Sequence, residues 1–250
     1  MVGTPEYRKN EYNYDTIPLI RSNTGKYIMN EKNRATSFFE KQVSCSHYEF
    51  NRYMDQKRWA SLWHQLDEIL QMKPKKVLEI GTGTGVLGAL LKHYGVDYFS
   101  VDIDPELRPD YVAPVTDLPL EDNSFDVVAC FQVLEHLPFD QFSFAIRELV
   151  RVSRDRLVIS LPDAKTLWSY RFYIPKKGMV QIDLPRPRLR PKKHVFDGEH
   201  YWEINTLGFP INKISQAIKE NGANIIKNYR SPDNTYHRFF VLDKDPDLKY

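Results

Sequence analysis

A chain of 250 residues with 42% hydrophobic and 27% charged residues is long enough for one or two domains and has a globular rather than a disordered composition. Lys and Arg (35) exceed Asp and Glu (33) by only two, so bulk charge predicts neither a nucleic acid nor an anionic membrane as partner. The two cysteines lack the spacing of a zinc site and are too few for a disulfide framework. The sequence has no signal-peptide pattern, and its apolar runs are far shorter than the roughly 20 residues that span a bilayer, which predicts a cytoplasmic protein.

The N-terminal part of the chain carries little sign of regular structure. Residues 1–55 are rich in Tyr, Asn and charged side chains without sustained periodicity, which predicts an irregular N-terminal arm. Between residues 56 and 72 the apolar side chains recur at helical spacing, and Pro74 stops the helix. We therefore expect the folded domain to occupy residues 56–250.

The middle of the chain alternates between strand and helix patterns. Strands are predicted at 76–80, 98–102, 125–131 and 156–161, and helices at 86–94 and 140–152. Strands that are apolar on both faces and alternate with helices indicate a mostly parallel sheet covered on two sides. A helix at 211–220 follows, and strands at 224–229 and 237–242 are joined so closely that they must pair antiparallel.

Residues 162–210 separate these two parts and have weak periodicity, many aromatic side chains and six prolines. Loops this long inside a compact domain are usually functional covers, so we interpret the segment as a lid or substrate-binding insertion. Between Arg171 and Lys193 it carries eight basic residues and one acidic residue, Asp183. This charge either faces solvent or favours an anionic acceptor, such as a nucleotide-linked or phospholipid-linked sugar.

A glycine-rich turn follows the first predicted strand. Gly81, Gly83 and Gly85 let the backbone turn sharply and approach a ligand at the carboxyl end of the strand, where open α/β sheets bind ligands. The fingerprint of a dinucleotide site needs a glycine where this chain has Val86. The carboxylate of Glu79 would also repel a pyrophosphate, whereas it suits an ammonium group. Both observations argue against a dinucleotide and favour a ligand with a positive end.

Asp102 ends the second predicted strand and is placed to accept hydrogen bonds from both hydroxyls of a ribose. Glu79 and Asp102 together therefore predict a ligand in which an amino acid is joined to a nucleoside.

Further motifs follow in order, namely Leu118-Pro119, Asn123-Ser124-Phe125-Asp126 and Leu134-Glu135-His136. With the glycine turn and Asp102 they make residues 75–162 resemble the class I S-adenosylmethionine-dependent methyltransferases, in the type 11 branch. The resemblance implies an α/β, Rossmann-like, doubly wound fold. Its seven-stranded, mostly parallel sheet has an antiparallel last strand and helices on both faces. The implied cofactor is S-adenosylmethionine, which leaves as S-adenosylhomocysteine.

The same resemblance implies which residues hold the cofactor. Glu79 lies near its methionine end, Asp102 binds its ribose, and Gln132 lies beside the sulfonium. Where the family often has an acidic residue for the adenine amine this chain has Pro114, which leaves Asp117 as the nearest substitute. The expected cofactor-binding residues are Glu79, Gly81, Thr82, Gly83, Gly85, Asp102, Ile103, Asp117, Leu118, Phe131 and Gln132.

The absence of other motifs reduces the range of possible methyl acceptors. Residues 130–133 lack the Asp/Asn-Pro-Pro-aromatic turn of methylases that act on exocyclic amines. Carbon methylation of pyrimidines needs a cysteine nucleophile, and Cys130 has no basic neighbours in sequence to activate it. Asp126 lies at the end of its strand that is away from the sulfonium, so it cannot hold a metal there. We expect no metal and a small-molecule hydroxyl acceptor, which needs a base near neutrality. The candidate catalytic residues are His200, Glu203 as its orienting partner, and His136.

Rival functions stay open at this stage. A quinone-type carbon methyltransferase shares the core motifs but needs a more apolar lid, and a non-catalytic S-adenosylmethionine-binding regulator or adaptor lacks a base beside the methyl group. A nucleic-acid methylase that uses the basic lid is less favoured. Residues 198–205 and 236–240 are similar to those of methyltransferases associated with bacterial surface-glycan synthesis, which favours oxygen methylation of a sugar intermediate.

Overall fold

The computed structural model describes residues 42–187 and 192–246, which fall within a unit formed by Ser37–Tyr250. The first 41 residues of the predicted N-terminal arm lie outside the described residues. The rest of the arm contains a single 3-10 turn, Cys45–Tyr48, and the short helix α1, Phe50–Tyr53. The arm boundary at residue 55 stays a prediction.

A seven-stranded sheet organises the described residues. Its order is β3-β2-β1-β4-β5-β9-β8, and its neighbours pair in parallel except β9, which runs antiparallel to β5 and β8. This confirms the expected Rossmann-like α/β sheet with an antiparallel last strand. The strands are β1 (Lys76–Ile80), β2 (Asp97–Asp102), β3 (Tyr111–Val112), β4 (Phe125–Phe131), β5 (Ser153–Pro162), β6 (Leu167–Ile174), β7 (Gly178–Pro185), β8 (Ala223–Arg230) and β9 (His237–Lys244).

Helices cover both faces of the sheet because its central strands are apolar on both sides. The buried core on one face takes Leu149 from α4 and Ile218 from α5, and the core on the other face takes Leu62 from α2 and Leu91 from α3. The helices are α2 (Gln56–Gln71), α3 (Val86–His93), α4 (Phe139–Val152) and α5 (Ile211–Glu220). None of the helices among the described residues is long and apolar enough to cross a membrane.

The sequence located six of the seven sheet strands. It missed β3, which has only two residues, Tyr111 and Val112, and is too short to show a period. It also began β5 at Arg156, whereas the strand begins at Ser153. The pairing of β5 with β4 has a bulge between Phe125 and Val127, and Ser153 at the polar start of β5 pairs with Phe125 beyond this bulge.

Residues 162–210 contain an antiparallel hairpin that the sequence analysis did not place. Strands β6 and β7 pair with each other as a separate two-stranded sheet, from Leu167 opposite Pro185 to Ile174 opposite Gly178. Further along, the buried Trp202 donates a hydrogen bond from Nε1 to the carbonyl oxygen of Leu137 at 3.0 Å. The end of the segment is thus fastened to the core, while its function as a lid stays a prediction.

Candidate active site

The glycine turn after β1 approaches the loop after β4 very closely. Gly81 has a φ of +84°, and a Cβ built on it would lie 2.4 Å from Cγ2 of Val133. A side chain at position 81 would therefore strain the backbone and displace Val133. The backbone nitrogen of Gly81 donates to the carbonyl oxygen of Val101 at 2.8 Å, which fixes the turn beside β2.

The Asp102 carboxylate fastens this turn to the end of β2. Its Oδ2 accepts a hydrogen bond from the backbone nitrogen of Thr82 at 2.7 Å, and its Oδ1 accepts one from Asp104 at 2.9 Å. Burial raises the pKa of Asp102, and these two hydrogen bonds oppose the rise. The side chain lines a cavity, and its binding of a ribose stays a prediction.

Three adjoining cavities lie at this edge of the sheet, and Tyr48 and Gln132 line all three. The first cavity follows the end of β2, the second covers the glycine turn, and the third is lined partly by residues 199 and 200. Other lining residues are Asp102, Ile103, Ala113, Pro114 and Val115 in the first cavity, Glu79, Thr82, Gly83 and Phe131 in the second, and His47, His136, His200 and Tyr236 in the third.

Gln132 stands where the cavities meet and has a strained backbone. Its φ of +54° is unusual for a residue other than glycine. Its backbone nitrogen donates to the carbonyl oxygen of Ser160 and its Nε2 donates to Oγ of Ser160, both at 3.0 Å. Strain of this kind persists only where the surroundings impose it and is common at functional sites. The structure thus places Gln132 where the three cavities meet, and its position beside the sulfonium stays a prediction.

Glu79 offers a buried carboxyl group to the second cavity. Only 5% of the residue is exposed, and the hydroxyl of Tyr98 donates a short hydrogen bond to its Oε2. Burial raises the pKa of Glu79 to about 8, although the bond from Tyr98 opposes the rise. In the free protein at neutral pH the group is therefore largely protonated, and an ammonium ligand would favour its ionised form.

His200 and Glu203 form a pair at the wall of the third cavity. Nδ1 of His200 lies 3.2 Å from Oε1 of Glu203, which also accepts a hydrogen bond from the hydroxyl of Tyr236 at 2.5 Å. Since the carboxylate can only accept, Nδ1 carries the hydrogen and Nε2 is left as the basic nitrogen. Burial lowers the pKa of His200, but the hydrogen bond with Glu203 and the negative charges of Glu203 and Asp197 outweigh it and raise the pKa overall.

His136 lies beside His200, with the two ring centroids 5.0 Å apart. Its Nδ1 contacts the side-chain oxygen of Gln42 at 2.6 Å and the carbonyl oxygen of Glu199 at 2.9 Å. Burial, followed by the charge of His200, lowers the pKa of His136 to about 4. His136 is therefore neutral at physiological pH and leaves the positive charge to His200.

Glu135 is fully buried next to these two histidines. Neither of its carboxyl oxygens has a hydrogen-bond partner among the described residues, and burial raises its pKa to about 8. Glu135, His136 and His200 offer ligand atoms that lie within 4.8 Å of one another, the one such group found in residues 42–187 and 192–246. A carboxyl that is largely protonated at neutral pH is a poor metal ligand. The expectation of no metal stays a prediction.

Some predicted site residues lie away from the cavities. Asp117 is exposed, Leu118 is buried and donates its backbone N–H to Glu148, and neither lines a cavity. Gly85 caps α3 with a φ of +71° and also lines none. The first cavity is closed instead by residues 113–115. The roles given to these three residues therefore stay predictions.

The sequence analysis missed the residues that precede β1. Tyr48, Tyr53 and Arg58 line the second and third cavities, and the guanidinium carbon of Arg58 lies 3.9 Å from the centre of the Tyr53 ring. These side chains come from short turns and the start of α2, where no pattern in the sequence marks them. Their position depends on tertiary packing alone.

Comparison with known families decides the identity of this region. Residues 78–158 match a family described as a methyltransferase domain, and they contain the glycine turn, Asp102, Gln132 and Glu135. Residues 78–158 form a class I S-adenosylmethionine-dependent methyltransferase domain. This confirms the expected family and the expected cofactor, S-adenosylmethionine.

Curated relatives of the methyltransferase domain share only part of their length with this chain. A ubiquinone biosynthesis O-methyltransferase from Xanthomonas euvesicatoria is 33% identical over 84 residues, which cover 28% of this chain and 35% of the relative. The enzyme of the same name from Aliivibrio fischeri is 25% identical over 128 residues, which cover 39% of this chain and 55% of the relative. The chain thus matches well under two thirds of these relatives.

Solved structures share the fold over more of the chain. A protein from Pyrococcus horikoshii aligns with a TM-score of 0.54 and 15% identity over 81% of this chain and 100% of its own. The 1,6-didemethyltoxoflavin-N1-methyltransferase from Burkholderia thailandensis, solved with 1,6-didemethyltoxoflavin and S-adenosylhomocysteine, aligns with a TM-score of 0.51 and 15% identity over 80% of this chain and 84% of its own. At this identity the likeness shows the fold.

The residues at the cavity edge suit S-adenosylmethionine. Gly81 lines both the first and the second cavity, and the buried Oγ1 of Thr82 has no hydrogen-bond partner among the described residues. Glu79 would hold the ammonium group, Asp102 the ribose hydroxyls, and residues 113–115 the adenine. Glu79 lines the second cavity, and Asp102 and residues 113–115 line the adjoining first cavity.

Binding of the cofactor is expected to release protons from Glu79. Its pKa of about 8 in the free protein falls when an ammonium group lies beside it, so at pH 7 the carboxyl must lose its proton on binding. Isothermal titration of S-adenosylhomocysteine at pH 7 in two buffers that differ in ionisation enthalpy measures this release. Glu79→Gln should abolish it and weaken binding about tenfold or more. Proton release that is unchanged in Glu79→Gln would assign it to another group.

Proposed function

We propose that the methyltransferase domain transfers the methyl group of S-adenosylmethionine to an oxygen atom of a small molecule. The observation that carries the proposal is the His200–Glu203 pair, in which His200 lines the third cavity, next to the cavity that covers the glycine turn. A hydroxyl group must lose its proton during transfer, and a histidine oriented by a carboxylate is the usual base for this task.

The cofactor, when bound, supplies an electrophilic methyl group on a sulfonium. His200 takes the acceptor proton at Nε2, and Glu203 stabilises the imidazolium that results. The hydroxyl of Tyr236 holds Glu203 in place through its 2.5 Å hydrogen bond. His136 packs against His200 and fixes its ring without competing for the proton, because its own pKa is about 4.

The acceptor side of the site is polar and aromatic. The third cavity is lined by histidine and tyrosine side chains, by the basic residues Lys57 and Arg58 and by the acidic residues Asp55 and Glu199, which suits a small polar acceptor that carries a hydroxyl. The curated relatives are named as O-methyltransferases, which supports oxygen as the target. We assign residues 162–210 as the insertion that closes over the acceptor, with residues 56–250 as the domain.

Labelled cofactor tests this function. Purified protein is incubated with methyl-¹³C S-adenosylmethionine and fractionated cell extract, and the labelled products are analysed by mass spectrometry and by the ¹³C chemical shift of the new methyl group. We expect the label in a small molecule, on oxygen. An Asp102→Ala variant, which we expect to bind the cofactor at least 100-fold more weakly, serves as the control. A label on carbon, on nitrogen or in nucleic acid would contradict the proposal.

A further inference from the structure

One face of the β6–β7 hairpin, called the inward face here, contacts residues 232 and 233 through Arg171 and Gln181, although its pair nearest the turn, Tyr173 and Met179, is exposed. Arg171 pairs with Asp233 at 2.7 Å and donates to the carbonyl oxygen of Pro232 at 3.0 Å, and Gln181 donates to the same oxygen at 3.0 Å. On the same face Gln181 also donates to Asp183 at 2.9 Å. Strand side chains alternate between the two faces, so this arrangement forces the intervening side chains outward.

The outward face of the hairpin is apolar along its whole length. Cross-strand neighbours on this face are Trp168 with Leu184 and Tyr170 with Ile182, and Phe172 follows next. These five side chains are 47% to 48% exposed in the part of the chain that the structure describes. A continuous strip of half-exposed aromatic and aliphatic side chains marks an interaction surface.

Positive charge lies at both ends of this apolar strip. Lys176 and Lys177 are exposed in the turn between β6 and β7, and Arg186 is exposed at the other end, directly after β7. The single acidic residue of the hairpin, Asp183, lies on the inward face and accepts hydrogen bonds from Ser169 and Gln181. The exposed side of the hairpin is therefore apolar in the middle and positive at its ends.

We propose that the outward face of the β6–β7 hairpin docks on a lipid membrane that contains anionic headgroups. Trp and Tyr side chains favour the boundary between headgroups and acyl chains, because each has an apolar ring and a polar atom. Lysines beside such a strip gain further from anionic headgroups, by about fivefold in affinity for each charge near the surface. This partner matches both features of the hairpin, and it does not depend on which acceptor the enzyme methylates.

A second copy of the chain fits the same face poorly. A symmetric contact places the same surface on both partners, so it would bring positive ends of one hairpin against positive ends of the other in either orientation. Such like-charge contacts oppose association, whereas anionic headgroups neutralise both ends at once. Charge complementarity therefore selects the membrane over self-association.

Co-sedimentation of the full chain with vesicles tests this proposal. Vesicles of phosphatidylglycerol and phosphatidylcholine in equal parts are compared with pure phosphatidylcholine, without cofactor, so that the result is independent of methyl transfer. We expect binding to the anionic vesicles that weakens at least tenfold in the double variant Trp168→Ser and Phe172→Ser. Lys176→Glu with Lys177→Glu should weaken binding at least tenfold as well and reduce its dependence on salt.

The matched control changes two exposed aromatics elsewhere, Tyr94→Ser and Phe144→Ser, which are 59% and 51% exposed. It should bind vesicles as the unchanged chain does, and thermal unfolding should show all variants folded. Three outcomes would overturn the proposal. They are no binding to anionic vesicles, equal loss in the control, and sedimentation velocity that shows a dimer dissolved by the hairpin substitutions.

Discussion

Asp102→Ala is expected to weaken the binding of S-adenosylhomocysteine at least 100-fold. Each hydrogen bond from a ribose hydroxyl to a charged carboxylate contributes about 1.5–3 kcal/mol, and the variant loses two of them. It also releases the backbone N–H groups of Thr82 and Asp104, which Asp102 holds at 2.7 and 2.9 Å in the free protein. The loss thus combines missing ligand contacts with a loosened glycine turn. Isothermal titration calorimetry measures the affinity directly.

A matched control separates ligand contacts from general damage to β2. Asp110 also accepts hydrogen bonds from a backbone nitrogen and a side chain, both of Ser100, at 2.8 and 2.9 Å, but it lines none of the three cavities. Asp110→Ala should therefore lower the melting temperature while retaining the affinity for S-adenosylhomocysteine. If Asp102→Ala kept its affinity, or if Asp110→Ala lost it equally, the assignment of Asp102 to the ribose would be rejected.

The part of the site that could be predicted from sequence is the part made by consecutive residues. Gly81 directly follows β1 and Asp102 is the last residue of β2, so the strand pattern alone puts both at the carboxyl edge of the sheet. Parallel pairing of β1 with β2 then brings them together, as the hydrogen bond from Thr82 to Asp102 shows. The cofactor chemistry was readable because it depends on this local geometry.

The rest of the site depends on contacts between distant parts of the chain. Tyr48 and Arg58 lie in turns and at a helix start, and only packing of this region against the sheet brings them to the cavities. The pairing of His200 with Tyr236 through Glu203 likewise joins residues more than 30 positions apart. No periodicity in the sequence predicts such long-range contacts.

The β6–β7 hairpin is a different case, because the sequence of β6 does contain a strand pattern. Trp168, Tyr170 and Phe172 alternate with Ser169 and Arg171, which is the period-2 pattern of a half-exposed strand. Its apolar side faces outward, opposite to the usual arrangement, so the pattern resembles neither a core strand nor a plain loop. The sequence analysis described residues 162–210 as basic and rich in proline, and the hairpin adds a strip of half-exposed aromatic and aliphatic side chains to that description.

His200→Ala is expected to lower turnover on the acceptor by roughly 10²–10⁴-fold, the usual contribution of a positioned general base. The affinity for S-adenosylhomocysteine should remain, because His200 lines the third cavity and not the first or the second. Turnover is measured on the acceptor found by labelling, with His93→Gln, an exposed histidine outside the cavities, as the control. Undiminished turnover would remove His200 as the base.

The pH dependence gives a second test of the same residue. His200 must be neutral to accept a proton, so the rate should rise with pH through its pKa, which lies above the ordinary value near 6.5. Glu203→Gln removes the negative charge that helps to raise this pKa, and the midpoint of the rise should therefore move to lower pH. A variant that merely weakened the fold would lower the rate without moving the midpoint. The direction of the shift thus identifies Glu203 as the residue that positions and charges the base.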